Sequence, residues 1–558
     1  MDSAVRWLWW VTGRKKGYVL TLTLVQALSG GLGVLYALLL RNIVDSAVEH
    51  DSAAFWRNVL LIIGLVVLQI SLSAIVRWLQ ELAKSDIENL LKQRLTDNIL
   101  RKGYNTVSAT HTAEWLNRLT NDTTVVANGI VEILPGLVGT VVRLISAIIM
   151  VIALDRMFAM ILVPGGVALC VLTYAFRKVL KRLHKNIQET DGRLRIFLQE
   201  HIGSLMMIKS FVAEEQTSRA ASEAMNEHKS ARMRRNRFSN VANIGFAVAM
   251  QGMYLLGVVY CAYGIMSGTV TYGTLTAIMQ LVGQIQGPFV SISSYVPRFY
   301  AMTASAERLM EIEAFADDEA ARDANEVYNF YRESFSALGL RNANFTYESD
   351  DAAPVVLNGI SIEIKKGEYI AFTGHSGCGK STVLKLMMCM YPLDSGEKYI
   401  TGAEGEIALD ASWRRLFAYV PQGNALMNGT IREVVSFADP DAAHDEYRLR
   451  RALHISCADE FVDDLDAVLG ERGSGLSEGQ MQRLAIARAV FSDCPVMLLD
   501  ETTSALDEVT EQRLLQNLRA MTDMTVVIVT HRRAALGICD RVLRFTEAGV
   551  EDVTEQNG

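Results

Sequence analysis

Six apolar runs occupy the first 300 residues, near positions 18–45, 56–82, 127–153, 156–177, 240–266 and 271–299. Each is about 20 residues or longer, the length an α-helix needs to cross the hydrocarbon core of a bilayer. In lipid every backbone N–H and C=O must be satisfied internally, so lone runs of this kind are restricted to helices. No proline precedes Pro135 and none lies between Pro164 and Pro288, so nothing forces a helix to break where the apolar character ends. The charged stretches 84–125 and 178–237 therefore read as helical extensions that leave the bilayer and return as two hairpins in water.

Basic residues orient the bundle. Arg177, Lys178, Lys181, Arg182, Lys185, Arg232, Arg234, Arg235 and Arg237 crowd the second hairpin near the span ends. The first connection, Ser46–Ala53, is acidic and holds no Lys or Arg. Lys and Arg gather on the cytosolic side of membrane helices. The N-terminus, both hairpins and the whole C-terminal part are expected inside, with three short loops outside and the cell membrane as the location. Trp7, Trp9 and Trp10 precede Arg14, Lys15 and Lys16, which suits a helix lying in the cytosolic interface and not a secretory signal. The seven cysteines form no CxxC pair and are expected to be free thiols. A formal net charge of −8 gives no sign of the clustered basic surface that a nucleic-acid partner needs.

The remaining two-fifths of the chain carries a different pattern. Residues 355–374 alternate, then run apolar into a glycine-rich loop, Gly374, His375, Ser376, Gly377, Cys378, Gly379, Lys380, Ser381 and Thr382. Strand, loop and helix in that order form a phosphate-binding device. The glycines let backbone N–H groups face the β- and γ-phosphates, and the helix adds the positive end of its dipole. Lys380 neutralises phosphate charge and the Ser381 hydroxyl is a candidate Mg²⁺ ligand. Val496–Glu501 reads as a buried parallel strand ending in two carboxylates. Asp500 is placed to hold Mg²⁺ through water, and Glu501 to orient or deprotonate an attacking water. A second apolar strand, Thr525–Thr530, ends at His531, a candidate contact to the γ-phosphate. Leu476, Ser477, Glu478, Gly479 and Gln480 stand ahead of a helix, where polar capping residues form another anion site.

With these motifs in this order, the chain resembles the ATP-binding cassette (ABC) transporters, and the resemblance covers essentially its full length. LSEGQ followed by QRLAIARA resembles the family's signature motif. Six spans then one cassette resemble an exporter-type (type IV) half-transporter. The fold implied is an α-helical transmembrane bundle with long cytosolic extensions, then an α/β P-loop domain. The expected division is 1–308 membrane domain, 309–333 linker and 334–558 nucleotide-binding domain.

The resemblance also implies that two chains pair head to tail, with ATP sandwiched between the phosphate loop of one and the signature residues of the other. In that arrangement Tyr347 stacks on adenine, Gln422 senses Mg²⁺ as a ligand, and Asp507 signals across the dimer. Residues 470–475 match the loop that touches the hairpins, and segments near Thr112–Asn121 and Arg193–Glu200 look like coupling regions. One departure is Glu478, where the family usually has glycine. A carboxylate beside an anionic ligand is expected to weaken nucleotide affinity without killing the site.

The function implied is ATP-driven export of a solute across the membrane, with ATP and Mg²⁺ as cofactors. An importer on the same fold, for example of a metal chelate, and an ATP-gated regulator or channel remain as alternatives. The partner is a second half-transporter; a homodimer is favoured because Glu501 and His531 are both present, and a heterodimer stays open through Glu478. Polar residues within a span face a cavity or a partner helix. The cavity candidates are Glu132, Arg143, Met250, Gln251, Met253, Gln280, Gln284, Gln286 and Ser291. A peptide, a lipid-like molecule or a small drug-like molecule would all fit as cargo. With no peptidase domain ahead of the first span, proteolytic maturation of a peptide cargo is not expected.

Overall fold

The structure is a computed structural model that describes residues 2–347, 355–423, 426–470, 473, 475–521, 523–546 and 549–554. Side chains of residues 2, 161, 163, 166–178, 181, 286, 289–290 and 292–293 lie outside that description. The chain divides into two compact units, Met1–Asn98 with Ala113–Ala314, and Ile99–Thr112 with Phe315–Gly558.

The first unit is helical. A short helix α1 (Asp2–Val11) leads into α2 (Lys16–Val48), α3 (Ser52–Arg101), α4 (Thr123–Leu154), α5 (Arg156–Gly203), α6 (Glu214–Met266) and α7 (Tyr272–Glu311). Each apolar run falls within one of the six long helices, and α3, α5 and α6 continue far beyond their apolar part into the charged stretches. Among the described residues four helical segments are long and apolar enough to cross a membrane: Gly13–Val48, Ser52–Arg101, Thr112–Leu154 and Glu214–Met266. Trp56, Leu60, Ile63, Val67, Ile70 and Trp78 of α3 are exposed. A row of large apolar side chains facing outward suits a lipid or subunit environment and not water. Pro135, Pro164, Pro288 and Pro297 all sit inside continuous helices, as membrane helices tolerate.

Small residues bring helices close. A Cβ on Gly30 of α2 would lie 2.7 Å from the carbonyl oxygen of Gly139 on α4, so this crossing requires glycine. In α1, Trp7 and Leu8 are buried while Trp9 and Trp10 face out. The Lys16 ammonium lies 4.6 Å from the Trp9 ring centroid and the Arg94 guanidinium 4.4 Å from that of Trp10. Cations thus lie over both outward-facing rings of α1.

A charge network joins the start of α4 to the end of α7. Asp122, fully buried, accepts from Arg308 Nη2 at 2.5 Å, Arg308 Nε at 2.8 Å and the Ser305 hydroxyl at 2.9 Å. One turn earlier, Arg118 donates to the Arg308 carbonyl at 3.0 Å and to Glu114 at 2.6 Å, and pairs with Glu311 at 2.8 Å. Residues 113–121, read as part of a coupling region, are thus engaged within the helical unit. The piece of the first hairpin that belongs with the C-terminal unit is Ile99–Thr112. There Lys102 bonds the Phe315 carbonyl at 2.7 Å and pairs with Asp317 at 2.6 Å, and the Tyr104 ring meets Tyr391 edge-on at 5.7 Å. In the second hairpin, Arg193–Glu200 lies within α5, and the turn beyond it leaves Leu205, Met206, Phe211 and Val212 exposed.

The C-terminal unit begins inside the stretch read as a linker. Residues 324–333 form helix α8 (Ala324–Glu333), capped by Asp323, with Val327 and Tyr331 buried. Its Tyr331 hydroxyl meets that of Thr525 at 2.8 Å, so this part of the connection is built into the core.

Two sheets follow. Strands β1 (Ala337–Phe345), β2 (Leu357–Lys365), β4 (Ser395–Gly402) and β5 (Gly405–Ala408) make an antiparallel sheet in the order β2-β1-β4-β5. A larger sheet uses β3 (Tyr369–Gly374), β6 (Phe417–Val420), β7 (Val496–Asp500), β8 (Thr525–Val529), β9 (Arg541–Thr546) and β10 (Gly549–Asp552), in the order β10-β9-β3-β8-β7-β6. Strands β9, β3, β8, β7 and β6 run parallel, and only the edge strand β10 is antiparallel. Every residue of β7 and β8 is buried, as uninterrupted apolar runs in a parallel sheet require. Successive residues alternate between two cores. Met497 and Leu499 face the helix α10 (Glu478–Phe491) side, and Val496 and Leu498 face helix α9 (Lys380–Met387) and the antiparallel sheet. The six cysteines with described side chains are free, and Cys170 lies outside the described side chains.

Removing the Asp122 carboxylate by Asp122→Ala leaves Arg308 unpaired against α4. The expected loss is about 2–3 kcal/mol, below the roughly 3–5 kcal/mol of breaking a fully buried pair because the Arg308 side chain keeps contact with water. Thermal unfolding in detergent checks this. Arg308→Met in the Asp122→Ala background should recover part of the loss.

Candidate functional site

Four adjacent parallel strands end at one edge of the large sheet, and each delivers a motif there. The loop Gly374–Gly379 follows β3, His531 follows β8, Asp500 ends β7 with Glu501 next, and Gln422 lies just past β6. The C-terminal edge of a parallel sheet is where such folds bind ligands.

The glycine loop adopts its shape for a physical reason. Gly377 and Gly379 have φ of +86° and +91°, a region other residues enter only with strain. Nothing lies within 4 Å of a Cβ placed on Gly377, so its backbone borders open space. Gly379 then caps α9. Lys380, 5 % exposed, folds over the loop and donates to the carbonyls of Gly374 at 2.8 Å and His375 at 2.9 Å. Its ammonium also lies 3.6 Å from the Cys378 sulfur. Thr382 meets the Tyr347 hydroxyl at 3.0 Å, while the Tyr347 ring packs edge-on against Phe345 and Tyr391. Tyr347 is thereby tied to the phosphate loop.

The carboxylates are held tightly. Ser381 donates to Asp500 Oδ1 at 2.8 Å and the Tyr419 hydroxyl reaches Asp500 Oδ2 at 3.2 Å. Burial raises the Asp500 carboxyl above its ordinary range, against the pull of those two hydroxyl donors. Glu501 accepts from Gln422 Nε2 at 2.7 Å. Its φ of +52° is unusual for a residue with a side chain and costs on the order of 1 kcal/mol. Its N–H bonds the Val529 carbonyl at 3.1 Å. His531 is exposed at the end of β8.

The residues of LSEGQ form a capping box at the start of α10. Gln480 N–H bonds the Ser477 hydroxyl at 3.2 Å, and Gln480 Oε1 accepts from the Ser477 N–H at 2.8 Å. Leu476 packs against the core, while Ser477 and Glu478 are exposed. A carboxylate in the first turn favours the helix dipole, so Glu478 stabilises the helix it starts. A Cβ on Gly479 would lie 2.9 Å from the Ala505 carbonyl. The motif's described side-chain hydrogen bonds stay within itself and do not reach the phosphate loop. Asp507 caps helix α11 (Glu508–Arg519), and the Thr510 N–H holds its carboxyl below the ordinary range. Of residues 470–475, positions 471, 472 and 474 lie outside the described residues.

Sequence reasoning missed three residues. Tyr419 stands three positions before Gln422 and contacts Asp500. Gln482, two positions past the signature and 3 % exposed, donates to Ser504 Oγ and accepts from the Ala505 N–H, both at 3.2 Å. Arg532 donates to the carbonyls of Ser504 at 2.6 Å and Leu506 at 2.8 Å and pairs with buried Glu511 at 2.8 Å. Together these two side chains clamp the Ser504–Leu506 loop. The adjacency of Gln482 and Arg532 to motif residues was the available signal, but only the fold brings both to one loop.

The cavity candidates scatter. Glu132 pairs with Arg298 at 2.8 Å and lines a cavity of about 310 Å³ with Arg77, Gln80, Glu81, Lys84, Asn128 and Val131. None of the other eight candidates lines it. Gln284 bonds the Gly33 carbonyl at 2.7 Å between α7 and α2, and Met250 is buried. Met253 packs on the helical core, and the Ser291 hydroxyl bonds its own helix at Gly287. Arg143 and Gln251 are exposed and Gln280 is half-buried, while the side chain of Gln286 lies outside the described ones.

Comparison with known proteins fits this geometry. The ABC transporter transmembrane region matches residues 19–289, and the ABC transporter domain matches 357–504. The chain belongs to the ABC transporters. It places one transmembrane region ahead of one ATP-binding cassette, and membership implies that the cassette uses ATP. The leukotoxin translocation ATP-binding protein LktB of Pasteurella haemolytica-like sp. (strain 5943B) is 28 % identical over 373 residues, 65 % of this chain and 50 % of that protein. Its namesake from Mannheimia glucosida is 29 % identical over 359 residues, 62 % of this chain and 48 % of that protein. The chain thus spans about half the length of the curated relatives it matches. A bacterial Atm1-family ABC exporter with ATP bound shares the fold, with a TM-score of 0.79 at 20 % identity, covering 98 % of this chain and 97 % of that one.

In this transporter Gln482→Leu strips two partners from the Ser504–Leu506 loop. The expected cost is about 1–3 kcal/mol of cassette stability, from one buried donor and one acceptor left unsatisfied. Thermal unfolding of the full chain measures it.

Proposed function

We propose that this ABC transporter is one half of an ATP-driven exporter in the cell membrane, with both termini in the cytoplasm. The observation that carries the reading is the convergence of Lys380, Ser381, Gln422, Asp500, Glu501 and His531 at the ends of four neighbouring strands. They sit in a chain that also holds membrane helices. We divide it into a membrane domain 1–308, a linker 309–333 and a nucleotide-binding domain 334–558. The exporter-type fold supports export, and so do the names of the relatives, which describe translocation.

ATP would rest with its adenine against Tyr347 and its phosphates along residues 374–382. Lys380 leaves the two loop carbonyls for the phosphate oxygens, exchanging neutral acceptors for charged ones. The oxygen donors Ser381, Asp500 and Gln422 suit Mg²⁺, a hard cation that takes one or two carboxylates and completes its shell with phosphate and water. When bound, Mg²⁺ would neutralise charge that develops on the phosphates. Glu501, steadied by Gln422, aligns the attacking water and takes its proton, and His531 contacts the γ-phosphate. Ser477, Gly479 and Gln480 of a second copy would close the site, with Leu476 and Glu478 flanking them and Asp507 signalling between sites. Because this chain holds every catalytic residue, two copies would form two competent sites, and a symmetric homodimer is the commonest assembly. The cargo is a small molecule, a lipid-like molecule or a peptide.

Transport into inside-out vesicles from a metabolite extract tests the reading. ATP-dependent accumulation of a solute supports export; ATP-dependent loss of a preloaded solute would overturn it. The chain expressed alone should purify as a dimer with Mg²⁺-dependent ATPase activity. Glu501→Gln should lower that turnover at least about 100-fold while keeping ATP binding, the scale of losing a general base. Glu478→Gly should tighten ATP binding about threefold to fivefold, from relief of about 1 kcal/mol of like-charge repulsion at an exposed site.

A further inference from the structure

Asp500 has two hydroxyl partners, and only one belongs to a nucleotide motif. Ser381 takes Oδ1 at 2.8 Å from the start of α9, and Tyr419 takes Oδ2 at 3.2 Å from the neighbouring strand β6. The parallel register Tyr419↔Leu498 and Val420↔Leu499 sets Tyr419 beside the last turn of the pleat before Asp500. Asp500 is 2 % exposed, so its carboxylate has almost no water to fix it. With Ser381 as sole partner the group could turn about its terminal torsion, which has a broad minimum. A donor on each oxygen, from separate elements, removes that freedom. The Tyr419 ring is itself packed against the core that includes Phe417, Val496 and Leu498, so its hydroxyl is a fixed point.

We propose that Tyr419 is a positioning residue for Asp500, locking the plane of the carboxylate so that it presents a preset face to the divalent cation. This rests on the ATP and Mg²⁺ reading of the site. Tyr419 acts through Asp500 and touches neither nucleotide nor metal, so its loss should weaken metal binding selectively.

The test is Tyr419→Phe in the full chain, which keeps the ring and deletes only the hydroxyl. Mn²⁺ binding is followed by electron paramagnetic resonance with a non-hydrolysable ATP analogue, and analogue binding is measured separately in chelator. The Mn²⁺ half-saturation should rise about tenfold, the scale of one hydrogen bond to a charged group. The bound-Mn²⁺ spectrum should broaden, and analogue affinity without metal should stay within twofold of the parent. An unchanged Mn²⁺ affinity overturns the proposal, because the hydroxyl then does not set the carboxylate. An equal fall in metal-free affinity also overturns it, since the effect would be general packing. If the unsubstituted chain binds no Mn²⁺ with the analogue, the parent reading of the site fails, and the proposal with it.

Discussion

A fully buried strand that ends in carboxylates sets the problem around which the cassette is built. Asp500 closes β7, where every residue is buried. An ionised carboxylate there is costly unless donors meet it. Ser381 and Tyr419 supply them from either side. That arrangement needs β6 beside β7 and the phosphate-loop helix above the same edge, so the strand order and the site are one constraint. Glu501, one residue on, turns through a left-handed backbone that ends the strand and brings its side chain to Gln422. The strain is concentrated where the chemistry is placed, as is common at functional sites.

The helical unit obeys a different solvent. Its outward face is apolar along α3, and its internal crossings use glycine to let helices touch. Beyond the apolar zone, where water returns, charge takes over the packing. The Asp122–Arg308 pair and the Arg118 cluster join α4 to α7. Hydrophobic pattern thus decides which helices cross, and polar networks decide how their extensions are held.

Much of this was legible in one dimension. Six long helices follow from apolar length and from where proline is absent. The phosphate loop, the buried strand with its two carboxylates and the capped helix at Ser477 follow from residue type and spacing. The stretch 324–333 was not legible as part of the core, because its composition is largely polar and few side chains, Val327, Phe330 and Tyr331, turn inward. The family resemblance assigns the segment near Thr112–Asn121 to a coupling region. In the folded chain Arg118 and Asp122 are engaged by α7, and the piece grouped with the cassette is Ile99–Thr112.

By itself the sequence determined the class of each segment. Length, periodicity and glycine placement are local properties, and they specify helices for lipid, strands for a buried sheet and a loop for phosphate. Only the tertiary structure decided which side chains meet across the sequence. Tyr419 and Asp500 are far apart in the chain but adjacent across two parallel strands, and Gln482 and Arg532 converge on Ser504–Leu506 from separate elements. It likewise spent Gln284 on a helix contact and gave Glu132 a charged neighbour. A polar residue in a span carries the same letter whether it faces a cavity or a neighbouring helix, and only packing distinguishes the two.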